Sequence, residues 1–439
     1  MANSKEEVIL DSSELRFIEG HGKLLVKASG KDIVAEFHNL EGPRFLTKYL
    51  QGKPAEMAPL VASRICGLCF TAHSINSAEA IEKALGIKVS REVRDLRNVL
   101  YLANNLRSHM MHLLYLSIPP IKGLISVLRL SDKDVFKAGA RLLAKSTELI
   151  EIWGGRSVHV PNVVVGGFGA PMKGKELLNS VNELEGLLPD AKKFVEYALD
   201  LELPELERYR LLAGLKKPGF YPVHSEDANM ALTDGSVLNN QSYFDGLEEV
   251  TKEYSTSKHV YYRKSEITVG ALSRIMLNRN YLSAGARKLA EEVEWSMNPF
   301  LIVKAQAVEV VHYIEELVKQ SQELSDVMME AHNPGVCSTM DADAGMACSF
   351  RGSKGKGISI AEAPRGTLCH SCEVEDGLIK DYKVYTPTAV NSKSIEADAV
   401  EMVKRFRPIG MEKLKFVLED LVRSYDPCLS CAVSLDAFD

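Results

Sequence analysis

Apolar and polar residues alternate with a period of two between about residues 8 and 40, and with a period near 3.6 over most of the remaining chain. In the first stretch Leu24-Leu25-Val26-Lys27-Ala28 and Asp32-Ile33-Val34-Ala35-Glu36-Phe37 flank Ser29-Gly30-Lys31, which predicts two short strands joined by a hairpin turn. Ile75, Ala78, Ile81 and Leu85 then step by three or four, and Gly86 offers a stop, so a helix is expected there. A second helix carries Val93, Leu96, Leu100, Ala103, Leu106, Met110 and Leu113 on one face and should end before Pro119-Pro120. Residues 130–300 read as mostly helical segments. Val303, Ala307, Val310, Ile314, Leu317 and Leu324 predict a long core helix over 301–325. Leu414, Val417, Leu418, Leu421, Val422 and Tyr425 predict a C-terminal helix that Pro427 closes. The pattern is that of a predominantly helical α+β chain. It has a small β-rich part at 8–50 and a mainly helical body with a long-helix bundle core over 51–439, in one domain because no linker interrupts it.

Composition narrows the function more than the fold. The 53 basic and 59 acidic residues leave a net charge of −6, which argues against nucleic acid or an anionic membrane as the main partner. No apolar run reaches 18 residues, so no membrane-spanning segment is expected. The start, Met1-Ala2-Asn3-Ser4-Lys5-Glu6-Glu7, lacks the basic-then-apolar order of a signal peptide, and a cytoplasmic location is the expectation. Eight cysteines in 439 residues are too few for a disulfide scaffold.

Four of those cysteines stand in two pairs at opposite ends of the chain, Cys66-Gly67-Leu68-Cys69 and Cys428-Leu429-Ser430-Cys431. A two-residue spacer lets both sulfurs of a pair point at one centre, so two pairs can close a four-thiolate cage on a soft metal ion. The bland alternative is a structural zinc clasp, although such pairs usually bracket a small local knuckle rather than a whole chain. The first pair should lie in the loop feeding a helix N-terminus, where the helix dipole favours thiolate over thiol. A third pair, Cys369 and Cys372, reads as buried thiols. His109 and His112 lie three apart on the second predicted helix and read as histidines satisfied in a packed interface. The glycines at 154–155 and 166–169 lack the spacing of a dinucleotide or phosphate loop.

Arg64-Ile65-Cys66-Gly67-Leu68-Cys69 with His73, together with Asp426-Pro427-Cys428-Leu429-Ser430-Cys431, resembles the two nickel-binding motifs of the large, catalytic subunit of nickel-iron hydrogenases, most like the soluble cytoplasmic bidirectional group. The resemblance runs nearly the whole length. It implies that Cys66 and Cys428 are terminal on nickel, while Cys69 and Cys431 also bridge to an iron carrying one carbonyl and two cyanide ligands. Arg16-Phe17-Ile18-Glu19-Gly20-His21 is similar to the family element whose glutamate carries protons beside the active site, which falls on Glu19. Ala363-Pro364-Arg365-Gly366 matches the family's Ala-Pro-Arg-Gly, whose guanidinium hangs over the metals. Proline fixes φ and glycine permits an unusual turn, so Arg365 is stiffly presented. Pro387-Thr388-Ala389-Val390-Asn391 resembles the segment whose hydroxyl donates to a cyanide on iron. Pro364, Pro387 and Thr388 would therefore border that ligand pocket, with Arg365 and Asp426 forming a polar canopy.

The implied reaction is reversible heterolytic cleavage of dihydrogen, the proton passing from the Cys428 thiolate to Glu19. Electrons must then leave through an obligate iron-sulfur small subunit, because four cysteines are committed to nickel. Further flavin or iron-sulfur subunits linked to NAD(P), a deazaflavin, ferredoxin or a disulfide reductase are also implied. The chain departs from the family pattern at four places. Phe17 stands where an arginine is usual and Pro120 where an aspartate is. Thr47 replaces a glutamate and Ser434 a histidine, the residues that in the family hold a magnesium or iron ion near the C-terminus. Loss of both predicts no third-site magnesium and a chain that stays uncut through Asp439. Two other classes stay open: a non-catalytic hydrogenase-like subunit of a respiratory or sensory complex, and a structural zinc protein.

Overall fold

The computed structural model describes residues 7–12, 14–29, 32–170, 173–225, 227–326 and 352–434. The period-two stretch folds as an antiparallel three-stranded sheet of Glu7–Asp11, Gly22–Ser29 and Asp32–Asn39, with the second strand central. Along Gly22–Ser29 buried and partly exposed residues alternate strictly, the signature of a sheet with one face on the core. Ser29 pairs with Asp32, so the expected hairpin forms, and its tip at 30–31 lies outside the described residues. The segment between the first two strands brings Glu19 against the far end of the chain, where it bridges Cys428 backbone to backbone.

The first expected helix runs Phe70–Leu85 and ends on Gly86 at φ 68°, a left-handed position that suits glycine. The second runs Arg91–Met111, its start capped by Ser90 accepting from the Val93 amide. It does not simply stop before Pro119. A π-helical turn, His112–Ser117, comes next, and both prolines sit in the short helix after it, Ile118–Ile121. Proline is excluded from a helix interior but tolerated in a first turn, where its missing N–H has no partner to lose.

The long helix, Leu301–Glu323, is buried on almost every side and packs against Arg91–Met111, Gly174–Glu185 and Leu188–Leu199. Lys133–Gly154 covers the other side of Arg91–Met111, completing the helical bundle. The expectation of mostly helical segments over 130–300 needs correction. Ala213–Lys216, Asn229–Leu232 and Val237–Leu238 form one small sheet, and Leu247–Val250 pairs with His259–Tyr262 in another. Strands of two to four residues contain too few positions for a period of two to show against 3.6.

A third three-stranded sheet, Lys354–Ala363, Gly366–Glu375 and Leu378–Tyr385, lies beneath the Phe70–Leu85 helix. A Cβ at Gly355 or Gly357 would stand 2.0 Å from the carbonyl oxygen of Ala84 or Ala80, so only glycine lets the strand approach the helix this closely. Pro387–Phe406 and Met411–Ser424 then lead to a last short helix, Leu429–Ala432, buried beside the helix that Cys69 starts. The architecture is α+β with a helical bundle core, as the periodicity predicts.

Candidate metal centre

Each cysteine pair is placed by a helix beginning. Cys69 is the N-cap of Phe70–Leu85, and Cys66 lies in the turn before it, its sulfur accepting from the Leu68 and Cys69 amides at 3.2 and 3.4 Å. Cys428 is the N-cap of Leu429–Ala432, and Cys431 lies on that helix. Before it the backbone turns through Asp426 at φ 51°, a strained left-handed position for a residue other than glycine. Thr388 Oγ1 accepts from the Cys428 amide at 2.9 Å, and the Glu19 carbonyl accepts from the Leu429 amide at 3.1 Å. The pairs thereby meet across 362 residues of sequence: Cys66 Sγ lies 3.1 Å from Cys428 Sγ, and Cys69 Sγ 2.9 Å from Cys431 Sγ.

All four sulfurs are buried and lie within 4.8 Å of one another. Thiolates bound at about 2.3 Å to one tetrahedral ion lie about 3.8 Å apart, so shifts of about an ångström would bring all four sulfurs onto a shared soft-metal centre. The sulfurs are also too far apart to be disulfides. Burial pushes all four thiols up. At Cys66 this is outweighed by hydrogen bonds from Cys428, Cys431 and Cys69 and by the charge of Arg365, which hold it well below the usual thiol range. Burial and the neighbouring sulfurs leave Cys428 and Cys431 well above it. Four thiolates cannot share this volume unless positive charge compensates them, which a bound metal ion would supply.

Glu19 and Arg365 approach the cluster from different elements. Glu19 Oε2 accepts from the Ser430 amide at 3.1 Å and Oε1 from the Ser430 hydroxyl. Burial, then the neighbouring Cys66, raises its carboxyl above the usual range. Pro364 and Arg365 form the two-residue turn between Lys354–Ala363 and Gly366–Glu375, with Ala363 paired to Gly366. Arg365 Nε donates to the Asp426 carbonyl and Nη2 to Asp426 Oδ1, both at 2.7 Å, while Nη1 donates to Ser108 Oγ at 3.1 Å. Pro387 begins its helix at a position suited to proline, which presents Thr388 beside Cys428. Glu19, Arg365, Asp426 and Thr388 are thus each bonded to the segment that carries Cys428 and Cys431.

Cys369 and Cys372 stand outside the cluster. Residues three apart on a strand face opposite sides, so this pair cannot aim both sulfurs at one centre. Both are buried, and burial pushes Cys372 up to about 12. His109 and His112 are partnered in the bundle: His109 Nε2 lies 2.8 Å from Glu309 Oε2, and His112 Nδ1 2.5 Å from Gln306 Oε1. Phe17 lies under the Arg423 guanidinium, 5.9 Å from its ring centroid, and Arg423 Nε donates to the Arg16 carbonyl.

The periodicity missed a buried polar scaffold behind the turn. Arg274, fully buried, donates to both oxygens of Glu309, to Glu362 and to the carbonyls of Ala363 and Pro364. Gln306 Nε2 donates to Asp426 Oδ2 at 3.1 Å. Gln306 and Glu309 are buried polar residues three apart on a helix whose buried positions are mostly apolar, a signal that a core-packing reading of 301–325 passed over.

Residues 44–128 and 218–434 match the nickel-dependent hydrogenase family, more than half of the chain and both cysteine pairs. The chain belongs to the nickel-dependent hydrogenase family. It is 32% identical to the alpha subunit of sulfhydrogenase 1 of Pyrococcus furiosus, over 95% of each chain. It is 28% identical to the alpha subunit of sulfhydrogenase 2 of the same organism, over 97% of this chain and 99% of that one. An NAD+-reducing [NiFe]-hydrogenase crystallised in the H2-reduced state shares the fold, with a TM-score of 0.82 at 20% identity over 98% of this chain and all of that one. A Ni-Fe-Se hydrogenase of D. vulgaris Hildenborough aligns with a TM-score of 0.71 at 22% identity, covering 98% and 99%. Dihydrogen cleavage is the reaction of this hydrogenase family, and the chain is its large, catalytic subunit.

Proposed function

We propose that Cys66, Cys69, Cys428 and Cys431 hold the nickel, that Cys69 and Cys431 are shared with an iron, and that Glu19 carries the proton released when dihydrogen is split. The convergence of the four sulfurs carries this reading. When bound there, a nickel-iron pair with carbonyl and cyanide on the iron would supply redox capacity and an electrophilic site for dihydrogen. The Cys428 thiolate receives the proton and passes it to Glu19, whose carboxyl burial raises above the usual carboxylate range and which Ser430 holds in place. Two residues on, His21 Nδ1 pairs with Glu41 at 2.7 Å at the exposed surface, a fitting exit. Arg365 and Asp426 supply fixed charge above the sulfurs. Pro364, Pro387 and Thr388 border the pocket for the iron's ligands. Thr388 Oγ1 already accepts from the Cys428 amide, so its own hydrogen is available to a ligand.

Electrons leave through an iron-sulfur small subunit, in keeping with relatives named as alpha subunits. The exposed Phe45, Tyr49, Met57 and Leu60, on the segment leading into the first cysteine pair, offer apolar surface for it. Further flavin or iron-sulfur subunits for NAD(P), a deazaflavin, ferredoxin or a disulfide reductase complete the complex. Among the described residues no helix is long and apolar enough to cross a membrane, and we place the complex in the cytoplasm.

No third-site magnesium is part of this reading. Thr47 and Ser434 line a cavity of about 20 Å³ together with Lys258 and Glu249, whose side chains lie 3.3 Å apart. An ammonium there disfavours a divalent cation. The expectation of an uncut chain to Asp439 falls on residues outside those described. The test is metal analysis with infrared spectroscopy of the purified complex. Nickel, iron and carbonyl and cyanide stretches are expected, with no magnesium. Zinc without nickel or diatomic bands would support a structural clasp, and absence of nickel, zinc and diatomic bands a non-catalytic relative.

A further inference from the structure

Two-residue hairpin turns usually lie at the surface, where water satisfies their backbone. The turn that carries Arg365 is buried from Ala363 to Gly366. Three successive carbonyls there accept from buried side chains instead. Asn105 Nδ2 donates to the Glu362 carbonyl at 3.0 Å, and Arg274 Nη1 and Nη2 donate to those of Ala363 and Pro364, both at 3.1 Å. The next carbonyl, that of Arg365, lies 2.9 Å from where a Cβ on Gly270 would stand, so the turn is seated against the start of Arg274's own helix, Ala271–Asn278.

The same guanidinium is fixed along its other edge. Arg274 Nε and Nη2 donate to Glu309 Oε1 and Oε2 at 2.5 and 2.7 Å, which ties the turn to the long helix Leu301–Glu323. Three residues earlier, on the same face of that helix, Gln306 Nε2 donates to Asp426 Oδ2 at 3.1 Å. Asp426 Oδ1 accepts from Arg365 Nη2 at 2.7 Å. One helix therefore holds Arg365 through its backbone and Asp426 through its side chain, and the pair is fixed from both ends. Neutralising Glu309 needs only a cation, and lysine would supply one. What arginine adds at position 274 is a rigid fork that reaches a carboxylate and two carbonyls at once.

We propose that Arg274 and Gln306 are positioning residues for dihydrogen cleavage, setting where the Arg365–Asp426 pair stands over the centre without touching it themselves. The proposal rests on the nickel-iron reading above, in which Arg365 and Asp426 supply the fixed charge. Arg274→Lys keeps the charge beside Glu309, but one ammonium cannot also reach both turn carbonyls, so the variant loosens the turn selectively. Gln306→Met keeps length and volume and removes the donor to Asp426. Both variants should act only through the pair, so each effect should shrink once the planar fork of Arg365 is already gone. A general loss of stability would instead fall equally on both backgrounds.

The test is a double-mutant cycle on the purified holoenzyme complex with its partner subunits, at equal nickel and iron content. It compares the parent, Arg274→Lys, Arg365→Lys and the Arg274→Lys/Arg365→Lys double variant. Hydrogen oxidation should fall about tenfold or more in Arg274→Lys, since a misplacement of about 1 Å can cost about 10² in rate. Added to Arg365→Lys, the same change should cost less than about threefold. The carbonyl and cyanide bands should move in Arg274→Lys in the direction they move in Arg365→Lys, and no further in the double variant. Turnover within about threefold of the parent, or bands at their parental wavenumbers, in fully loaded Arg274→Lys would overturn the proposal. A loss as large in the Arg365→Lys background as in the parent would overturn it too. If Arg274→Lys fails to load nickel, Gln306→Met decides the matter by the same criteria. A parent complex without nickel or diatomic bands, or an Arg365→Lys complex as active as the parent, would instead sink the reading on which the proposal rests.

Discussion

Replacing Arg365 with lysine separates geometry from charge at the centre, because both side chains are cationic. The guanidinium makes three hydrogen bonds from a fully buried position, two to Asp426 at 2.7 Å and one to Ser108 at 3.1 Å. An ammonium on a straight chain ending near Nε or near one Nη can keep one of these, and the other two acceptors stay buried without a donor. At about 1.5 kcal/mol or more for each charge-assisted bond, the variant loses roughly 3 kcal/mol of organisation around Asp426. Asp426 is also the residue that holds the left-handed turn into Cys428, so the loss falls on the geometry of a metal-site cysteine. If that cost appears in the transition state, activity falls by about two decades at 1.36 kcal/mol per decade. The assay is hydrogen oxidation and H/D exchange with water, normalised to nickel. An Arg365→Lys enzyme retaining more than a third of parental turnover at full nickel would refute the argument that the planar fork is what the site needs.

Single alanine substitutions at Cys66, Cys69, Cys428 or Cys431 should abolish nickel retention on elemental analysis, whereas Cys369→Ala and Cys372→Ala should leave nickel and turnover largely intact. Glu19→Gln keeps the shape beside Ser430 but accepts no proton, so turnover and H/D exchange should fall by about 10² or more with metal content unchanged; a loss within about threefold would show another relay. His312 is buried, accepts from the Ser283 amide at Nδ1, and is held by burial down to about 4. Its unfolded form takes a proton near pH 6.5 that the folded form refuses, so its contribution is intact above 6.5 and is lost as pH falls toward 4, by about 3 kcal/mol. His312→Asn, which can still accept from Ser283, should flatten that limb of a pH-dependent denaturation series; an unchanged slope would show that other groups govern it.

The long elements were legible because their periodicity is local: Phe70–Leu85, Leu301–Glu323 and Met411–Ser424 each repeat apolar residues often enough for one face to declare itself. The cysteine spacing and the short motifs around Glu19, Arg365 and Thr388 also lie on the chain, and they named the site before its parts were brought together. The short strands between 213 and 262 were not legible, since two to four residues cannot reveal a period. Nor were the partners of the buried polar groups. Arg274 with Glu309 and Glu362, and His73 with His370 and Tyr382, are separated by tens to hundreds of residues, and their pairing depends on which helix faces meet which strands. Hydrogen bonds act over about 3 Å, so a sequence can show that such groups are present while only the packed chain decides which of them touch. The sequence by itself singled out four cysteines as candidate ligands; the tertiary structure gathered their sulfurs and decided what holds Arg365 and what stands beside Cys431.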